Sequence, residues 1–248
     1  MPKIYLSPPY HRWNPCSYSS TCNETDHGNQ YCDEMEPYLR ACGIEYKRGP
    51  RRVPMSGEDG TALMKKAVAE SNAWGPDLHY VTHTNAANGT VKGSRPMIYP
   101  GSSKGRAIAD KIIAYRKKIY PYPIQLNERS DLYELKSTSA PTVYEELIFH
   151  DNKEDANWLH ANMRKLAEYT VRALCDYFGI KFVDPYSSKG DVDGDGKVTT
   201  ADALKVLQGA VGKVELDEQQ KEKADLDGDG KITTADALGT LQKSVGKE

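Results

Sequence analysis

PTVYEELIFHDNKEDANWL, residues 141–159, passes directly from a strand pattern into a helix start. Thr142 to Phe149 is rich in β-branched and aromatic residues, as strands are. Side chains alternate across a strand, so Glu145 and Glu146 must point to opposite faces. The DNKED run at 151–155 precedes an apolar-periodic stretch and reads as a helix start with Asp or Asn as cap, rather than as an acid cluster. Outward from this unit, strand patterns lie near 3–7, 44–48 and 77–83, and helical patterns near 29–42, 59–73, 102–118 and 152–178. The alternation predicts an α/β fold with a central mixed sheet flanked by helices. Ligands of such sheets collect beyond the carboxyl ends of the strands. The loops after Ser7, after His83 and around Glu146 are therefore expected to form one site. VDPYSSKG at 183–190 breaks the pattern and reads as a linker, giving domains at 1–182 and 191–248.

The composition of this 248-residue chain, 38% apolar and 27% charged, is that of a folded soluble protein rather than a disordered one. No apolar run approaches the ~18 residues that would span a bilayer, so no membrane span is expected. A net charge of −2 lacks the basic surplus of a general nucleic-acid binder. The first residues enter a strand without the pattern of a secretory signal. The five cysteines leave at least one thiol free or paired externally. Cys16 and Cys22 are close enough to close a short loop. Cys32 and Cys42, ten residues apart on one predicted helix, stand about 15 Å from each other and cannot bridge. With no CxxC pair, the cysteines read as plain thiols rather than zinc ligands.

DVDGDGKVTTADAL at 191–204 returns as DLDGDGKITTADAL at 225–238, an offset of 34 residues. Each repeat carries carboxylates at loop positions 1, 3 and 5: Asp191, Asp193 and Asp195, then Asp225, Asp227 and Asp229. Gly196 and Gly230 allow the sharp turn at position 6. The carbonyls of Lys197 and Lys231 fall at position 7, Thr199 and Thr233 at position 9, and Asp202 and Asp236 at position 12. Oxygen ligands at this spacing suit two calcium ions. Asp in place of Glu at position 12, and no incoming helix before either loop, make residues 189–248 resemble the type I dockerins. That resemblance implies a small all-α module that folds on calcium and binds a cohesin module, with self-association as the other possibility. The partner-facing positions 10 and 11 are Thr200-Ala201 and Thr234-Ala235.

VTHTNAANGTVKG at 81–93 places a histidine at the end of a predicted strand, before an Asn/Gly loop. HTNAANG, with the 141–159 stretch, resembles the zinc-dependent N-acetylmuramoyl-L-alanine amidases of type 3, across roughly residues 3–180. The resemblance implies one zinc ion held by His, Glu and His, with a second Glu moving protons. His83 matches the second histidine, and Glu146 the catalytic carboxylate. The first histidine falls on His11 if one residue is inserted, and Tyr10 occupies the ungapped position. Counting back nineteen residues from Gly43 puts the first glutamate at Glu24, with His27 as the alternative. His79, His150 and His160 read as surface hydrogen-bonding partners.

Three ligands leave a fourth zinc position for water, whose proton a neighbouring carboxylate can move. The expected activity is cleavage of the amide between N-acetylmuramic acid and L-alanine in peptidoglycan. The alternatives are a zinc peptidase cutting within the stem peptide, and a catalytically idle wall-binding protein displayed through its dockerin. The expected location is extracellular or on the cell wall, or the host cytoplasm before release for a phage endolysin.

Overall fold

The computed structural model describes residues 1–10, 14–16, 18–19, 22–49, 60–186 and 189–247. They form two compact units, Met1–Val183 and Asp184–Glu248.

In the first unit β1 (Lys3–Ser7), α1 (Glu24–Ala41), β2 (Glu45–Arg48), α2 (Gly60–Trp74) and β3 (Leu78–Asn85) are followed by β4 (Arg95–Ile98) and α3 (Ser103–Arg116). Then come β5 (Asn127–Glu128), α4 (Tyr133–Ser137), β6 (Thr142–Phe149) and α5 (Lys153–Phe178). The strands make one sheet in the order β2-β1-β3-β6-β4-β5. The four strands from β2 to β6 are parallel, β4 runs antiparallel to β6, and β5 pairs parallel with β4. The sheet is thus mixed, as the sequence predicts.

Helices cover both faces, which is why the first seven residues of β3 are buried without alternation. On one face the Tyr80 hydroxyl meets Tyr31 of α1, and Arg116 of α3 donates to Glu145 at 2.6 Å. On the other, His79 bonds Ser71 of α2 and Glu134 of α4.

Three short elements, β4, β5 and α4, were not expected from the sequence. Helix α1 begins at Glu24, five residues ahead of the predicted start, because the Asn23 side chain accepts the Asp26 N–H and caps it. The helix at 153 starts as predicted: Asn152 accepts the N–H groups of Glu154 and Asp155.

The second unit contains α6 (Thr200–Ala210), α7 (Glu218–Ala224) and α8 (Thr234–Ser244). It is all-α, as expected, with one correction. An incoming helix does precede the second loop, since α7 runs directly into Asp225. Asp217 and Gln220 start it with a reciprocal capping box, a local signal that needs no apolar periodicity. Its small core is Val192, Val206, Leu216, Ala224 and Ala237. Val192 belongs to the first loop, so loop conformation and core formation are linked.

Candidate active site and calcium loops

The candidate site lies at the carboxyl ends of β3 and β6, where His83 and Glu146 are paired in register. Period two along β6 places Tyr144 on the same face as Glu146, and the Tyr144 ring stacks on His83 with centroids 4.8 Å apart. Glu24, the first residue of α1, reaches the same point: its Oε1 lies 2.6 Å from His83 Nδ1. Its other oxygen accepts from Asn14 Nδ2 at 2.6 Å. The positive end of the helix favours a carboxylate there. Asp151 accepts the N–H groups of Ala87 and Gly89 and so fixes the turn after His83.

Glu24 and His83 are buried, at 3% and 6% exposure, and Glu146 is half-buried. Burial pulls the His83 pKa down, but the charge and hydrogen bond of Glu24 outweigh it, and the net value rises to about 9. An ion taken up here must displace that proton. Burial pushes the Glu146 carboxyl up to about 7, with Glu24 and Glu145 adding to the rise against His83 and Arg129. Glu146 Oε2 is buried with no hydrogen-bond partner. An orphaned carboxylate oxygen beside an imidazole and a second carboxylate is a donor set that fits a divalent cation and a proton acceptor.

His11 lies outside the described residues. Tyr10, its ungapped alternative, packs with Tyr5 and Ala67 and bonds the Ser7 hydroxyl at 3.0 Å. His27, the alternative to Glu24, points elsewhere: its Nε2 faces His160 Nε2 at 2.9 Å and Cys22 Sγ at 3.4 Å. Burial, reinforced by His160 and His150, lowers its pKa to about 3 and keeps the ring neutral. Cys16 and Cys22 are joined as a disulfide, while Cys32, Cys42 and Cys175 form none. His79 and His150 are hydrogen-bonding partners, as read from the sequence, but buried ones: His79 lies between Ser71 and Glu134, and His150 against Thr84. The sequence reading missed Tyr144 and Asn14; the period of β6 marks the first, whereas nothing local marks the second.

In the first loop, single oxygens of Asp191, Asp193 and Asp202 come within 4.8 Å of one another, and in the second those of Asp225, Asp227 and Asp229 do. Asp195 instead accepts the Lys197 N–H, and Asp229 that of Lys231. Gly196 and Gly230 have φ of +91° and +82°, the left-handed turn expected of position 6. Asp202 accepts from Val192 N, Asp193 N and the Thr199 N–H and hydroxyl, so it both closes the loop and starts α6. Asp236 likewise accepts the Leu226 N–H and caps α8 with Thr233. Thr200, Leu204 and Leu207 of α6 and Thr234, Leu238 and Leu241 of α8 line one groove. Its four leucines are exposed. Ala201 and Ala235 are exposed beside the two threonines.

The family profile described as N-acetylmuramoyl-L-alanine amidase matches residues 14–176, and that of the dockerin type I domain matches residues 189–239. Comparison with curated protein sequences finds no match. Among solved structures, the chain is similar to the CwlD amidase of Clostridioides difficile in complex with the GerS lipoprotein, at 14% identity and a TM-score of 0.66, covering 72% of this chain and 99% of that one. It is also similar to the amidase AmiC2 of Nostoc punctiforme, at 16% identity and a TM-score of 0.61, covering 72% and 97%. The amidase Ami1 of Mycobacterium smegmatis matches at 17% identity and 0.60, again covering 72% and 97%. At these identities the likeness is one of fold.

Proposed function

Because the chain belongs to the N-acetylmuramoyl-L-alanine amidase family across residues 14–176 and carries a dockerin type I module at 189–239, we propose that it hydrolyses the amide joining N-acetylmuramic acid to L-alanine in peptidoglycan. The observation that carries this reading is the convergence of Glu24, His83 and Glu146 at one sheet edge. His11, Glu24 and His83 are the residues proposed to hold one zinc ion. When bound, the ion supplies a Lewis acid for water and the scissile carbonyl.

The protein's own groups do the rest. Glu24 and His83 brace each other, so neither has to reorganise to present its donor atom. Glu146 accepts a proton at its carboxylate and returns it to the leaving nitrogen of L-alanine. A pKa near 7 matches that shuttle at neutral pH. The stacked Tyr144 ring holds the His83 imidazole at a fixed tilt of 25°.

The repeats are proposed to bind two calcium ions and, through Thr200-Ala201 and Thr234-Ala235 beside the apolar groove, a cohesin module. Both features suit an enzyme working outside the cell or at its wall. Among the described residues no helix is long and apolar enough to cross a membrane.

The test is Glu146→Gln. It should lower hydrolysis of purified walls by about 10³-fold, on the order of a lost proton shuttle, while zinc content stays near one ion per chain in material purified under oxidising conditions. Loss of zinc with activity would assign Glu146 to the ligand set; unchanged activity would refute its role. A wall-binding protein without catalysis would release no fragments even in its wild-type form.

A further inference from the structure

A cluster of sulfur and nitrogen atoms is built from residues that the proposed hydrolysis leaves unused. Cys16 and Cys22 flank a short loop closed by the Cys16 N–H to Cys22 carbonyl bond at 2.8 Å and by an antiparallel bridge between Pro15 and Asn23. The loop sets the two sulfurs side by side, with Cα atoms 5.3 Å apart. His27 follows one turn into α1. His160 arrives from α5, far along the chain, and lies at the exposed edge of the group. The Nε2 atoms of the two histidines are 2.9 Å apart, and they lie 3.4 and 3.9 Å from Cys22 Sγ. The donor atoms of Cys16, Cys22 and His27 all fall within 4.8 Å of one another.

A disulfide alone gives no reason for two imidazole nitrogens to converge on one of its sulfurs. Two such nitrogens in contact share at most one proton, and neither gains a carboxylate or carbonyl partner at that atom among the described residues. Tetrahedral zinc explains the convergence. Bond lengths of ~2.3 Å to sulfur and ~2.0–2.1 Å to nitrogen require nitrogen pairs roughly 3.3 Å apart and sulfur–nitrogen pairs roughly 3.6 Å apart. The two sulfur–nitrogen spacings fall on either side of that value, and the two nitrogens stand a few tenths of an ångström closer than theirs.

We infer that the reduced chain binds one thiophilic divalent cation, of the zinc class, at Cys16, Cys22, His27 and His160, separate from the Glu24 and His83 site. The two sites share no residue, although both involve the first turn of α1. Opening the sulfur bond takes two electrons. A phosphine reductant supplies them and leaves as its oxide, taking its oxygen from water, while the water's two protons go to the sulfurs. Those protons depart when the cation binds. A low-molecular-weight disulfide takes the two electrons back, leaves as two thiolates, restores the protein disulfide and releases the ion, so occupancy follows the thiol–disulfide balance of the compartment.

The experiment uses the full-length chain, reduced with a phosphine without oxygen and titrated with cobalt(II), then zinc. His83→Ala removes the proposed catalytic site and leaves this one. The reduced His83→Ala chain should take up one cobalt with the thiolate charge-transfer band and the intense visible bands of tetrahedral coordination. Adding Cys22→Ser should abolish the band. His160→Ala, a change at an exposed position, should weaken binding by more than the roughly 10–100-fold that loss of a supporting residue costs. Reduced His83→Ala chain with five titratable thiols and no such band overturns the inference. A band that persists with undiminished affinity in His160→Ala overturns the four-residue set. Neither result bears on hydrolysis by the oxidised wild-type chain, which tests the amidase reading independently.

Discussion

Two adjacent glutamates, Glu145 and Glu146, show how one strand position separates structure from chemistry. Glu145 is fully buried and takes Arg116 Nη1 at 2.6 Å, and Arg116 also donates to Ser94 at 2.7 Å. Replacing Glu145 by Gln leaves Arg116 without a counter-charge in the interior, so urea unfolding should show a loss of about 3 kcal/mol or more. Turnover at temperatures where the variant remains folded should stay close to wild type. A stable but inactive Glu145→Gln chain would reverse the assignment of faces. This division was legible in the sequence, because period two forces it. The pairing of His27 with His160 was not: the two residues are 133 positions apart and meet only because α1 and α5 pack together. Nor does either histidine sit in a spacing that signals a metal by itself.

At the scale of elements, the long strands and helices were readable and the short ones were not. β6 and α5 carry clear periodicity, whereas β4, β5 and α4 have two to five residues each, too few to show a period. The early start of α1 hides behind Gly28, a residue unfavourable inside a helix. Gly28 is nonetheless required inside the helix, because a Cβ there would lie 2.2 Å from the Pro9 side chain and 2.4 Å from the Thr82 carbonyl. The junction of β6 and α5 depends on Asp155, fully buried, which accepts from Phe149 N, Gly93 N and the Tyr120 hydroxyl. Asp155→Ala strands those donors and should cost about 3 kcal/mol. The site residue Glu146 lies on the strand that Asp155 anchors, so activity should fall at a lower temperature than in the wild type. A thermal midpoint equal to wild type would show that the junction is held by other contacts.

In the calcium module, loop and helix start are one element. Asp202→Ala removes a carboxylate from the proposed ion site and the N3 half of the capping box that starts α6, and Asp236→Ala does the same for α8. Each variant should bind one calcium instead of two by calorimetry. Each should also lose about 1 kcal/mol from the cap alone, measured without the ion. Two ions bound with unchanged affinity would remove position 12 from the ligand set.

The two compact units have separate cores, and the proposed chemistry resides wholly in the first. Calcium withdrawal, in buffer that keeps zinc supplied, should therefore unfold the C-terminal module and leave hydrolysis of soluble muropeptides unchanged. A chain ending at Val183 should show the same soluble turnover with or without calcium. Calcium dependence of soluble turnover in that shortened chain would place a calcium effect in the amidase unit and contradict the separation.

The proposed activity of the whole molecule is defined by which bond is cut. Purified peptidoglycan digested with the wild-type chain, analysed by mass spectrometry with labelling of new amino termini, measures this directly. The expected products are stem peptides that begin with a free L-alanine amine and glycan strands that carry free lactyl carboxylates, with neither product from Glu146→Gln. New amino termini at residues inside the stem peptide, with L-alanine still joined to N-acetylmuramic acid, would contradict the proposed activity.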